Sequence, residues 1–208
     1  MKIISPGVEF VTPIDGIAIL KWIEICGRVC YKSEKNIMDG SAERFCKMIL
    51  KNGHEAVLEH CSFTVKFICD RGVSHEIVRH RLASYCQEST RYCNYSKGDF
   101  GSEITVIKPC FLEVGTYAYE EWRQSCRRAE EAYFQLLNWG CMPEEARSVL
   151  PNSLKTEVVM TANIREWRHF LKLRTSPRAH PQMREVAVQL LAACQSRIPI
   201  LFDDIPLC

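Results

Sequence analysis

Residues 153–174, SLKTEVVMTANIREWRHFLKLR, decide the fold class. In the first half, Leu154, Thr156, Val158 and Met160 alternate with Lys155, Glu157, Val159 and Thr161, the period-two pattern of a strand with one buried face. The second half, IREWRHFLKLR, changes to helical spacing, with Trp167, Phe170 and Leu171 apolar. Asn163 stands at the junction, where its side-chain oxygen can accept from a free N–H of the first helical turn. The stretch therefore predicts a strand that runs directly into a capped helix.

The same reading extends outward. CSFTVKFICD at 61–70 is a second strand, with Phe63, Val65 and Phe67 alternating with Thr64, Lys66 and Ile68. Ile3–Val11 reads as an edge-like strand interrupted at Pro6–Gly7, and ITVI at 104–107 as a short strand. Asp15 is placed to cap a helix reaching about Tyr31, and Ser41 opens another that Gly53 ends. Ser74 is read as the cap of a short helix, HEIVRHRLA. The polar stretch 84–103, with Gly98 and Gly101, is expected to be an ordered binding loop with a hairpin-like tail. The longest helix should run from about Val114 to Trp139, Pro143 should open a helical turn, and a last helix should follow Pro181 to about Arg197. Helices and strands mix without strict alternation, repeat or linker, which gives an α+β class: a mixed or antiparallel sheet flanked by helices, in one domain over 1–208.

With 47% hydrophobic and 25% charged residues the chain has an ordinary globular balance, and its net charge of +2 speaks against a surface built to grip a nucleic-acid backbone. Small anions need only a local cluster of arginines. The opening MKIISPGVEFVTPIDG has no uninterrupted apolar run after Lys2, and no stretch reaches the length that spans a bilayer. A cytoplasmic, membrane-free protein is expected, its 12 cysteines reduced, with Cys26, Cys46, Cys69 and Cys194 as small core residues.

The densest functional signal is Arg79-His80-Arg81, followed by Ser84, Gln87, Glu88, Ser89 and Arg91. Adjacent cationic side chains repel one another unless an anion sits among them, and arginine offers a diphosphate or monophosphate several donors in a rigid fork. A solvated basic turn explains the three residues alone equally well. The loop that follows tips the balance, because Gln87, Glu88, Ser89, Thr90 and Arg91 supply carbonyl, carboxylate, hydroxyl and guanidinium groups suited to a nucleobase, its sugar and a phosphate.

RHRLASYCQESTRY at 79–92 resembles the RHR-x7-S signature of flavin-dependent thymidylate synthases, with Arg79, His80, Arg81 and Ser89 in the fixed positions. GHEAVLEHCSFTVKF, EEARSVLP and ANIREWRHFLKLR are similar to further segments of that family, so the resemblance spans roughly residues 50–200. It implies an FAD-dependent methyltransferase that converts dUMP to dTMP with methylenetetrahydrofolate as carbon donor and NADPH as reductant. It also implies a homotetramer with active sites shared between subunits. Carried onto this chain, the resemblance gives Arg79, His80 and Arg81 to the FAD, with Arg79 also near the nucleotide. His54, Asn163, Arg165 and His169 would line the flavin, joined by Gln87 and by the backbone of Ala56. Glu76, Gln87, Glu88 and Thr90 would contact dUMP, while Ser89, Arg91 and Arg147 hold its phosphate. Arg174 would lie against the uracil as the catalytic residue. Three positions depart from the pattern: His75-Glu76 replaces a frequent Arg-Gln, Cys86-Gln87 replaces Asn-Glu, and Ala56 stands where a hydroxyl is common.

Uracil carbon 5 is a poor nucleophile until electron density is pushed into the ring. A guanidinium fixed beside the ring would favour the enolate-like form, as an oxyanion hole does. Arg174, at the end of a helix with an apolar side, is placed for that; taken alone it fits a cation at a helix C-terminus better, and the other matches to the family tip it to catalysis. Ser89 is read as a ligand rather than a nucleophile, since no base is placed at its hydroxyl. The rival readings are weaker. His54 and His60 are six apart rather than the four of a helical zinc motif, no C-x-x-C pair occurs, and no metal is expected. Pro109-Cys110-Phe111 lacks the histidine of a cysteine-dependent thymidylate synthase, and a small RNA-binding module would call for more basic charge.

Overall fold

The computed structural model describes residues 1–98 and 101–206. Its elements are β1 (Lys2–Ile4), β2 (Gly7–Phe10), α1 (Gly16–Arg28), α2 (Ser41–Lys51), β3 (Ser62–Asp70), α3 (Arg71–Ile77), β4 (Ala83–Gln87), β5 (Thr105–Ile107), α4 (Tyr117–Asn138), α5 (Pro143–Ala146), β6 (Lys155–Asn163), α6 (Ile164–Arg174), α7 (Pro181–Arg197) and α8 (Pro199–Phe202). The fold class is α+β. A four-stranded sheet has the order β2-β3-β6-β4, and β1 pairs in parallel with β5, Lys2 opposite Thr105 and Ile4 opposite Ile107. The alternation read in the two long strands holds: Phe63, Val65, Phe67 and Cys69 are buried along β3, and Thr156, Val158, Met160 and Ala162 along β6.

The chain divides into two compact units. One comprises residues 1–7, 67–79 and 86–159. Its core gathers Tyr95, Ile104, Val106, Cys126, Tyr133, Ala146 and Leu154, which is how the apolar side of the long helix α4 is buried. Thr116 caps α4, its hydroxyl accepting from Tyr119 N at 3.3 Å.

The other unit comprises residues 8–66, 80–85 and 160–208. Asp15 caps α1, accepting from Ala18 N at 3.0 Å, and α1 packs on α2. That approach depends on Gly27, where a Cβ would stand 2.4 Å from the Phe45 ring. Asn163 Oδ1 accepts from Glu166 N at 2.9 Å and so starts α6 where β6 ends. Helix α6 is anchored by Trp167, which is fully buried, stacks on Phe63 with ring centroids 5.0 Å apart and donates from Nε1 to Phe63 O at 3.1 Å.

Four local expectations are corrected. The strand expected over Ile3–Val11 is two strands, β1 and β2, which join different sheets on either side of Ser5-Pro6. Helix α1 stops at Arg28, and its expected last turn is a 3-10 turn over Val29–Tyr31. Helix α3 begins at Arg71 under an Asp70 cap, whose Oδ1 accepts from Val73 N at 2.7 Å; Ser74 lies inside it and donates to Arg71 O at 2.8 Å. Because α3 ends at Ile77, Arg79, His80 and Arg81 lie beyond it rather than inside the helix expected over HEIVRHRLA. Finally, the stretch expected as a loop from residue 84 opens as β4, an edge strand with Ala83, Tyr85 and Gln87 half-buried on one side and Ser84 and Cys86 exposed on the other, which lacks the large aliphatic residues that mark a strand in sequence. Residues 99 and 100 of that stretch lie outside the described residues. Among the described residues, no helix is long and apolar enough to cross a membrane.

Candidate functional site

In the second unit, His80 sits at the centre of a buried hydrogen-bond chain. Its Nδ1 is 3.0 Å from Glu166 Oε1, and Arg174 Nε donates to its Nε2 at 3.0 Å. His80 is 5% exposed and Glu166 7%, and the Phe170 ring packs edge-on against His80 at 4.7 Å. Tyr85 donates from its hydroxyl to His80 O, and burial pushes that hydroxyl up to about 12. Burial, opposed by the Glu166 hydrogen bond and assisted by the Arg174 charge, holds the His80 pKa below its ordinary value. A neutral imidazole fits the contacts: a proton on Nδ1 goes to the carboxylate, and the bare Nε2 receives the guanidinium N–H. His80, expected at the flavin, thus has both ring nitrogens engaged within the protein. Glu166, His80 and His169 also bring three possible metal-donor atoms within 4.8 Å of one another, but the Arg174 guanidinium on His80 Nε2 opposes a cation there.

Beside this chain, a cavity of about 530 Å³ is lined by Glu55, Glu59, Leu82, Asn163, Arg165, Glu166, Arg168, His169 and Lys172. It brings together three of the expected flavin residues: Asn163, Arg165 and His169. Arg165 is held at the rim by Glu59 at 2.6 Å and Glu55 at 3.7 Å. Arg168, buried, is clamped by Asp204 through two bonds of 2.7 and 2.6 Å and donates to Leu201 O. Its Nε stands 3.9 Å from Glu55 Oε1 and makes no hydrogen bond among the described residues. Cationic and amide donors around an under-satisfied buried guanidinium fit an anionic, diphosphate-bearing group. His54 and Ala56 line a different cavity of about 590 Å³, whose other walls include Gly27, Tyr31, Phe45 and Val57. Arg81 is exposed.

The first unit holds the other cluster. Gln87, Glu88, Ser89 and Thr90 line a groove of about 210 Å³ with Arg71 and Arg147. Arg71, Thr90 and Arg147 also line a neighbouring cleft of about 360 Å³ with His75. Arg147 donates to Thr90 Oγ1 at 3.3 Å and Arg71 to Glu88 O at 3.4 Å; among the described residues neither guanidinium has a carboxylate partner. Glu88 is used structurally: its two oxygens take Tyr95 OH at 3.1 Å and Lys155 Nζ at 3.0 Å. Gln87 donates to Ser74 Oγ at 3.0 Å and to Thr156 Oγ1 at 3.3 Å, which fixes its amide from behind. Arg91 Nε donates to Glu144 at 2.6 Å in an exposed pair. Glu76 is half-buried at the end of α3, and Arg79 is exposed just beyond it.

Sequence reasoning missed Arg71, Glu166, Arg168 and Lys172. Arg168 and Lys172 lie four apart on α6, a spacing that would have put them on one side of the helix. Glu166 had no local signal, because its partner His80 is 86 residues away in the chain.

A family model described as thymidylate synthase complementing protein matches residues 18–200. The flavin-dependent thymidylate synthase of Pyrococcus furiosus is 34% identical over 194 residues, covering 93% of this chain and 77% of its own. That of Geobacter sulfurreducens is 34% identical over 189 residues, covering 88% of this chain and 80% of its own. Among solved structures, a UMP/dUMP methylase PolB from Streptomyces cacaoi bound with 5-Br dUMP superposes with a TM-score of 0.76 at 27% identity, covering 98% of this chain and 96% of that one.

Proposed function

Because the chain belongs to the thymidylate synthase complementing protein family, we propose that it is a flavin-dependent methyltransferase that converts dUMP to dTMP, with methylenetetrahydrofolate as carbon donor and NADPH as reductant. The match over residues 18–200 carries this reading, and the chemistry of the two clusters supports it. The Gln87–Thr90 groove with Arg147 is the nucleotide site, its hydroxyls and uncompensated guanidinium groups suited to a phosphate monoester. Arg174 is the catalytic residue: its guanidinium favours the enolate-like uracil whose carbon 5 attacks the one-carbon unit. Asn163, Arg165, Arg168, His169 and Lys172 hold the FAD, and the family resemblance adds Arg79 and Arg81 to its contacts. When bound, the flavin supplies the hydride chemistry that completes the methyl group. In the same reading, residues 1–208 act as one catalytic domain of a cytoplasmic homotetramer with shared sites.

The test is direct. Purified protein with FAD, methylenetetrahydrofolate and NADPH should convert dUMP to dTMP and release the hydrogen from uracil carbon 5. UMP belongs in a parallel assay, because the solved relative is named for both nucleotides. Folded, FAD-loaded protein that leaves dUMP unchanged overturns the proposal.

A further inference from the structure

Arg174 can polarise a ring only if its guanidinium plane is fixed, and His80 accepts a hydrogen bond from its Nε. An imidazole can accept the Arg174 Nε–H on Nε2 only in the tautomer protonated at Nδ1. Nothing in the ring itself imposes that tautomer. Glu166 does, because its carboxylate oxygen lies 3.0 Å from Nδ1 and accepts but cannot donate. The surroundings leave His80 little freedom to turn: Phe170 packs edge-on against it, the His169 ring lies 5.7 Å away, and His80 and Glu166 are both buried. Glu166 is itself held where Asn163 starts α6, so the cap, the carboxylate, the imidazole and the guanidinium form one line of support. We propose that Glu166 is a positioning residue, which fixes the tautomer of His80 so that His80 orients the Arg174 guanidinium for the reaction. The proposal rests on the methylation reading for what Arg174 does, and on the hydrogen-bond chain alone for how Arg174 is held.

Removing Glu166 then removes the reason for Nδ1 to carry the proton. A proton moved to Nε2 faces the Arg174 N–H directly, donor against donor, and the guanidinium must turn away. A small displacement of a catalytic group costs rate rather than binding, because the ground-state contacts of the nucleotide lie elsewhere.

The experiment compares the FAD-loaded wild type with Glu166→Leu and Glu166→Gln. With 15N-labelled histidine and arginine, the wild type should show His80 Nε2 unprotonated and a protected Arg174 Nε–H. Glu166→Leu should move the His80 proton to Nε2 and expose the Arg174 Nε–H to exchange. Its kcat should fall about ten- to a hundredfold, with the KM for dUMP changed less than about twofold. Glu166→Gln, whose amide oxygen still accepts, should fold like wild type and recover most of both signals. A wild-type His80 protonated at Nε2 overturns the proposal, and so does a Glu166→Leu enzyme with the shifted tautomer and an unchanged kcat. Should Glu166→Leu fail to fold, a Glu166→Gln enzyme that loses rate while keeping tautomer and Arg174 protection overturns it as well. Wild-type protein that makes no dTMP counts against the methylation reading, and the nitrogen signals then still decide whether Glu166 holds Arg174.

Discussion

The two clusters handle charge in opposite ways. In the Glu166–His80–Arg174 chain, both ring nitrogens of His80 have partners inside the protein, and His80 and Glu166 are buried. In the Gln87–Thr90 groove, Arg71 and Arg147 stand without a carboxylate partner among the described residues, open to solvent. Burial explains the contrast. An unpaired polar group in the interior costs roughly 1–3 kcal/mol, so a buried site must be completed by the protein itself. An exposed guanidinium remains hydrated and can await an anion at little cost. The first arrangement suits a group that acts on developing charge, the second a group that binds charge already present in the ligand.

Four measurements test that contrast. The largest effect should follow Arg174→Ala, with kcat lower by on the order of a hundred- to a thousandfold and FAD binding retained, as expected for a group that matters when charge develops. Arg174→Lys keeps the charge but loses the planar fork that His80 holds, and should recover only part of the rate. Near wild-type turnover of Arg174→Ala at saturating dUMP would make Arg174 a helix-end residue and erase the difference between the regions. Next, Arg147→Ala should raise the KM for dUMP by roughly ten- to a hundredfold and leave kcat nearly unchanged, since a phosphate contact is equally strong in ground and transition states. A fall in kcat alone would move Arg147 to the catalytic side of the comparison.

Glu88 separates ligand from scaffold within the groove. Because it satisfies Tyr95 and Lys155, Glu88→Ala should lower unfolding free energy by about 1–3 kcal/mol in urea titrations, whether or not nucleotide is present. Unchanged stability combined with weaker dUMP binding would return Glu88 to the ligand set that the family resemblance implies. The smallest effect concerns pH. The folded His80 pKa lies below the ordinary 6.5, so the unfolded chain binds the extra proton first as pH falls. The contribution of this site to stability is complete above pH 6.5, declines as pH drops from there through the folded value, and is flat below it. Unfolding curves across that range should lose part of their slope in a His80→Asn variant; an identical slope would mean that His80 is not held neutral in the native state.

Much of this molecule was legible beforehand. The period-two faces of β3 and β6, the Asn163 cap, the Pro143 and Pro181 helix starts and the apolar side of α4 all follow from local chemistry acting over a few residues. The errors arose where a second local solution competed. Asp70 took the cap expected of Ser74, because its carboxylate at the strand end reaches Val73 N while the Ser74 hydroxyl turns back to Arg71 O. β4 was hidden because it lacks the large aliphatic residues that mark a strand in sequence.

The sequence by itself determined the α+β class and the family, and it singled out Arg79 to Arg81, Gln87 to Arg91, Arg147, Asn163 and Arg174 as the candidates for the chemistry. Only the tertiary structure decided what each of them is bonded to. It turned His80 inward between Glu166 and Arg174, tied Glu88 to Lys155 and Tyr95, paired Arg91 with Glu144 and brought Arg71 beside Arg147 in one groove. The physical reason is separation along the chain. Caps and periodic faces are settled within a turn or a strand, whereas Glu166 and His80 meet across 86 residues and Lys155 and Glu88 across 67, distances that no local pattern spans.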